Sequence, residues 1–147
     1  MSDDASGLPL ELRLSHDTAP SIETRRALGE AIDAFHGRTV PQDARRFALL
    51  VHDHDGRLVA GLSGVVAWQW LFVEALWVED EWRHRRVGSV LMKRAEAVAG
   101  DAGCHSAWLD SFQARDFYLG LGYEVFGKLE DYPAGQTRYF LRKRLGR

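Results

Sequence analysis

The sequence predicts a mixed α/β fold, a single layer of sheet with helices on its faces, in the order βαβββαβαββ. Three observations predict it. Short segments alternate apolar and polar residues or run continuously apolar, as strands do. Two longer segments carry apolar residues at helical spacing. Strands and helices intermix along the chain, the pattern of a sheet covered by helices.

The elements follow in order. Residues 1–7 are small and polar and are expected to be disordered. Leu10, Leu12 and Leu14 alternate with Glu11 and Arg13, so residues 8–14 read as a strand. Ser21 is placed to cap a helix from Ile22 to Phe35, with Ile22, Leu28, Ile32 and Phe35 on its apolar side. Residues 37–42 form a loop, and Phe47 to His52 a strand. Asp55-Gly56 signals a hairpin, with Leu58 to about Ala67 returning antiparallel. A second turn falls near Trp68 to Trp70, where no breaker marks it. Leu71 to Val78 is apolar on both faces, which predicts a central strand. Val87 to about Gly100 is a helix, with Val87, Val90, Leu91, Val98 and Ala99 as its stripe and Gly103 available to end it. Ala107 to Leu109 is a strand core. Gln113 to Leu121 is a short helix stopped by Gly122. Tyr123–Phe126 and Thr137–Arg142 form a final hairpin, connected through Tyr132-Pro133-Ala134-Gly135.

Composition narrows the function. At 147 residues the chain is one domain with room for a real core. A net charge of −2 argues against a general nucleic-acid binder, so the local arginine cluster at 83–86 fits a small anionic ligand. A single cysteine, Cys104, excludes an intramolecular disulfide and a cysteine-based zinc site. The acidic start, Met1-Ser2-Asp3-Asp4, shows no signal peptide, and a cytoplasmic location is expected. Residues 58–78 are nearly long and apolar enough to span a bilayer, but Gln69 and Glu74 favour two buried strands joined by a turn.

Chemistry concentrates in three places. Trp82-Arg83-His84-Arg85-Arg86-Val87-Gly88-Ser89 lies between a strand and a helix. A helix start leaves N–H groups without partners and is electrically positive, so cations gather there when an anion is to be held. Gly88 permits close approach of such a ligand. Glu74, within an apolar strand, is either a structural acid paired to an arginine or a base near a cleft, with its pKa raised if desolvated. Tyr118, in Phe117-Tyr118-Leu119-Gly120-Leu121-Gly122-Tyr123, is either a core aromatic or a proton donor. Elsewhere, His52-Asp53-His54-Asp55 reads as a solvated hairpin tip rather than a metal site. Cys104 reads as a small buried group rather than a nucleophile. Trp68 and Trp70 fall on one side of an extended chain and could line a pocket.

Together these segments resemble the GNAT superfamily of acyl-CoA-dependent N-acyltransferases. The family's pattern of Arg or Gln, two residues, Gly, one residue, then Gly or Ala is met by Arg83, Arg86 and Gly88, with Arg86 standing where the first glycine is usual. Glu74-Ala75-Leu76-Trp77-Val78 matches the strand feeding that motif. Phe117-Tyr118 with Leu121-Gly122-Tyr123 matches the tyrosine helix and following strand. Spacing and order agree over residues 46–143. The closing stretch, from Asp110-Ser111-Phe112-Gln113-Ala114 to Arg138-Tyr139-Phe140-Leu141, is similar to a group of small bacterial GNAT acetyltransferases.

The resemblance implies a mostly antiparallel mixed sheet of about six or seven strands with three or four helices. Strands ending at Val78 and near Phe112 would splay around acetyl-CoA. The expected donor-binding residues are Leu76, Trp77, Val78, Arg83, His84, Arg85, Arg86, Val87, Gly88, Ser89, Gln113, Phe117 and Tyr118. Tyr118 would protonate the departing thiolate, and Glu74 would take the acceptor's proton through a water. The implied activity is direct N-acetylation of a primary amine in a ternary complex, with no metal. The alternative is an inactive acyl-CoA sensor or partner subunit. The expected acceptor is a small molecule rather than a protein lysine, recruited by Glu74 and Asp110 or packed on Trp68 and Trp70. Neither nucleic acid nor membrane is an expected partner, and homodimerisation is common among GNAT folds.

Overall fold

The computed structural model describes residues 7–146. Contacts divide the chain into two units, one ending at Pro41 and the other starting at Gln42.

The first unit holds one helix, α1 (Ile22–His36). Ser21 caps it as predicted, its Oγ accepting the Thr24 N–H at 3.1 Å. The strand predicted at 8–14 is absent among the described residues. The Leu12 N–H instead donates to the Pro9 carbonyl at 3.0 Å, closing a turn. Alternation supplies a face but no partner strand, and Pro9 has no N–H to offer a ladder. Of the disordered stretch expected at residues 1–7, residues 1–6 lie outside the described residues.

The second unit is a six-stranded sheet. Its strands are β1 (Arg45–His52), β2 (Leu58–Ala67), β3 (Trp70–Val78), β4 (Ser106–Ser111), β5 (Glu124–Glu130) and β6 (Thr137–Arg144), in spatial order β1-β2-β3-β4-β6-β5. All neighbours are antiparallel except β3 and β4. Helices α2 (Val87–Asp101) and α3 (Arg115–Gly120) complete it, with a single 3₁₀ turn at Asp80–Trp82. The observed order thus matches the prediction after its first strand.

The core lies between α2, α3 and the sheet. Leu91, Met92, Ala95 and Ala99 from α2 meet Ala60, Leu62, Leu71, Val73, Leu109 and Leu141 from the strands, all buried. Cys104 belongs to this cluster, where burial pushes its thiol pKa up, as expected of an inert apolar group. The His52–Asp55 segment is the hairpin tip: Asp53 Oδ1 accepts the N–H groups of Asp55 and Arg57, each at 2.9 Å. No group of three or more potential ligands is arranged for a metal among the described residues, and no helix is long and apolar enough to cross a membrane.

The β2–β3 turn explains why no breaker marked it. Trp68 and Gln69 both adopt left-handed backbone (φ 50° and 66°), the conformation of a tight two-residue hairpin ordinarily given to Asn or Gly. The reading of Trp68 and Trp70 as neighbours on one extended strand is therefore corrected. Trp68 is in the turn and Trp70 opens β3, packed edge-on to His105 at 5.6 Å. Both sit at the end of β3 far from the basic turn.

Candidate active site

One break in the sheet makes the site. β3 pairs with β4 only at Trp70–Phe72, opposite Ser106–Trp108. Beyond that, Leu109–Ser111 of β4 pairs with β6 alone. The strands splay, as the resemblance implied, and β3 from Val73 onward presents an edge that no strand covers. Its backbone donors and acceptors on that side need partners. The prediction that Leu71–Val78 is a central strand holds, since β3 lies inside the sheet between β2 and β4, but burial fades along it. Leu71 and Val73 are buried, whereas Trp77 is 46% exposed.

A cleft of about 1130 Å³ opens at the splay. Leu76, Trp77 and Val78 line one wall. Arg83, His84, Arg86, Val87, Gly88 and Ser89 line its end, and Gln113, Phe117 and Tyr118 line the other wall. Of the predicted donor-binding residues only Arg85 is outside; its guanidinium lies 5.1 Å over the Trp82 ring. Trp82 and Phe112 line the cleft too, and sequence reasoning missed Arg115, Gln136, Thr137 and Tyr139, which also line it. Arg115 and Tyr139 are 24 residues apart, and their contact, Arg115 Nη1 to Tyr139 Oη at 3.2 Å, has no local signal.

The basic turn leaves helix-start donors open. Arg86 is the N-cap of α2, and the Val90 N–H is the first to find an intrahelical carbonyl, that of Arg86. The N–H groups of Val87, Gly88 and Ser89 precede it and stay available at the positive end of α2. His84 (φ 62°) and Arg86 (φ 66°) are both left-handed, at roughly 1–2 kcal/mol each for a residue bearing a Cβ. Arg86 thus keeps the glycine conformation of the position it occupies. Gly88 also has a packing reason to be glycine. A Cβ there would lie 3.3 Å from Phe117 Cζ and 3.8 Å from Val78 Cγ2, so glycine lets α2 close on Phe117.

Tyr118 is 7% exposed, with its ring edge-on to Phe117 at 5.0 Å and to Tyr123 at 6.0 Å. Burial, and secondarily the Asp110 carboxylate, push its pKa up to about 12. It therefore carries its proton throughout the neutral range. Tyr118 packs in the core and also lines the cleft.

Glu74 does not line the cleft. Ser63 and Gly64 of β2 face Ala75 and Val73, so Glu74 is the extra residue of a β-bulge. Its Oε1 lies 2.6 Å from Arg46 Nη1, and its side chain is about one-third exposed, so it is neither desolvated nor unpaired. Asp110 is likewise matched: its Oδ1 lies 2.7 Å from Arg138 Nη1, and that guanidinium is covered by the Tyr132 ring at 4.3 Å.

Residues 14–123 match the acetyltransferase (GNAT) family, and the chain belongs to that family. It is 43% identical over 93 residues to the blasticidin-S acetyltransferase of Streptomyces morookaense, covering 61% of this chain and 68% of that one. It is 28% identical over 125 residues to an acetyltransferase of Agrobacterium fabrum, covering 83% and 91%. Among solved structures, an acetyltransferase from Agrobacterium tumefaciens superposes with a TM-score of 0.86 at 25% identity, covering 91% of this chain and all of that one. An aminoglycoside 6′-N-acetyltransferase crystallised with coenzyme A shares the fold (TM-score 0.62, 16% identity, 86% and 83% covered).

Proposed function

We propose that the protein transfers the acetyl group of acetyl-CoA directly to the primary amine of a small molecule. The observation that carries this is the uncovered edge of β3 running into the N-terminus of α2. An extended amide-bearing arm can pair with the backbone of Trp77 and Val78, while the pyrophosphate rests on the N–H groups of Val87, Gly88 and Ser89. The available donors, the surrounding arginines and the size of the cleft support that substrate. A cytoplasmic location goes with the reading, as the compartment of the donor.

The chemistry is mainly alignment. A neutral amine attacks the thioester carbonyl; a C–N bond forms and the C–S bond breaks. Tyr118, on the cleft wall with its proton retained, gives that proton to the departing sulfur. The amine's proton leaves to solvent, since Glu74, the expected base, is paired with Arg46 outside the cleft. A β3 backbone N–H at the splay steadies the carbonyl oxygen as it gains charge. The Streptomyces relative named for blasticidin-S supports an amine-bearing antibiotic or similar metabolite as acceptor.

The test is release of free thiol from acetyl-CoA across a panel of small amines and a lysine peptide. Release with a small amine is expected. Tight coenzyme A binding without release from any amine would make the protein an acyl-CoA sensor instead.

A further inference from the structure

The turn holds two arginines that face the cleft, and their surroundings differ. Arg83 is already engaged. Its Nε donates to the Val78 carbonyl at 3.1 Å, and its Nη1 lies 3.2 Å from Asp80 Oδ1. It ties the turn to the last residue of β3. Arg86 also lines the cleft, but its guanidinium has no ion pair or cap hydrogen bond among the described residues. The acids nearest along the chain are taken as well. Glu79 and Glu81 each bond Arg57 at 2.9 Å, and Asp80 faces Arg83.

We propose that Arg86, and not Arg83, supplies the side-chain charge that selects a pyrophosphate-bearing acyl donor, with Arg83 serving as a brace of the turn. A guanidinium offers five N–H donors in a fork suited to phosphate oxygens, and an unpaired one facing a cleft lined by free backbone N–H groups has an anion as its natural partner. Arg86 stands at a position the family pattern gives to glycine, so this contact is an addition to that pattern. The inference rests on the donor reading above.

Calorimetric titration with coenzyme A and with 3′-dephospho-coenzyme A tests it without needing the acceptor. Arg86→Gly is expected to weaken both ligands about tenfold, the scale of one charge-assisted hydrogen bond. Its Tm should not fall, because glycine accepts the left-handed backbone freely. Arg86→Lys should recover part of the affinity. Arg83→Ala should lower Tm and cost less affinity than Arg86→Gly. Unchanged affinity in Arg86→Gly, the reverse ranking of the two arginines, or a loss for coenzyme A alone (a 3′-phosphate contact) would each overturn the assignment. A wild-type protein that binds neither ligand would instead overturn the donor reading itself.

Discussion

Replacing Tyr118 by Phe should lower kcat about 100-fold, equivalent to about 2.7 kcal/mol of transition-state stabilisation, with acetyl-CoA affinity nearly unchanged. The structure sets both the size and the selectivity of this effect. Phenylalanine keeps the ring contacts to Phe117 and Tyr123, so the core around Leu109 and Leu141 is not reopened. Only the hydroxyl is lost. With its pKa at about 12, that hydroxyl is some three to four units less acidic than an ordinary thiol. It therefore stabilises the leaving sulfur by partial proton donation, which puts the loss at the low end of the general-acid range. The elevated pKa also has a direction on the pH axis. The protonated form is the active one, so Tyr118 imposes no loss of activity until the pH approaches 12. The rate should rise as the acceptor amine loses its proton and then stay level through pH 10. The assay is thiol release from acetyl-CoA at saturating amine, with Tm measured in parallel. Unchanged kcat, or a falling limb near pH 10 that vanishes in the variant, would refute the argument.

Two further outcomes follow from packing. Gly88→Val should weaken coenzyme A binding and destabilise the fold by about 1–3 kcal/mol, because its Cβ meets Phe117 Cζ at 3.3 Å before the γ-methyls are placed. Undiminished binding in calorimetry would show that α2 does not need this close approach. Lys143→Met should lower Tm by roughly 10 °C, reflecting about 3 kcal/mol. It strips Glu96, whose side chain is only 15% exposed, of the ammonium at 2.8 Å and leaves it only the Tyr123 hydroxyl at 3.0 Å. Adding Glu96→Gln should restore much of the loss, and a thermal scan of Lys143→Met that matches wild type would remove the triad from the stability of the fold.

The local grammar of the chain was legible where local rules suffice. Ser21 with Ile22 announced a helix start, Asp55-Gly56 a hairpin, and Leu58–Ala67 a strand found with those same bounds. The strand–basic turn–helix order at 71–101 was legible too, because orphan N–H groups and nearby arginines follow from sequence adjacency alone. Residues 8–14 misled because alternation describes a strand's face and says nothing of a partner to pair with it.

What adjacency could not supply came from pairing across the sheet. The cleft exists because β4 leaves β3 after Phe72 and stays with β6, a choice made by strands whose paired residues lie 28–38 positions apart in sequence. Glu74 was equally readable as a paired acid or a free base. A one-residue bulge and Arg46, 28 residues upstream, made it paired. Arg86 showed the reverse dependence. Its identity and place before α2 were plain in the sequence, while its left-handed backbone and its lack of an acidic partner appeared only once Arg83, Arg57 and their carboxylates had been brought together in space. The sequence by itself determined which residue types stand at each turn and helix end, because those rules act over a few residues. Only the tertiary structure decided which charges remain unpaired and which strand edge stays open, because both depend on contacts between distant segments.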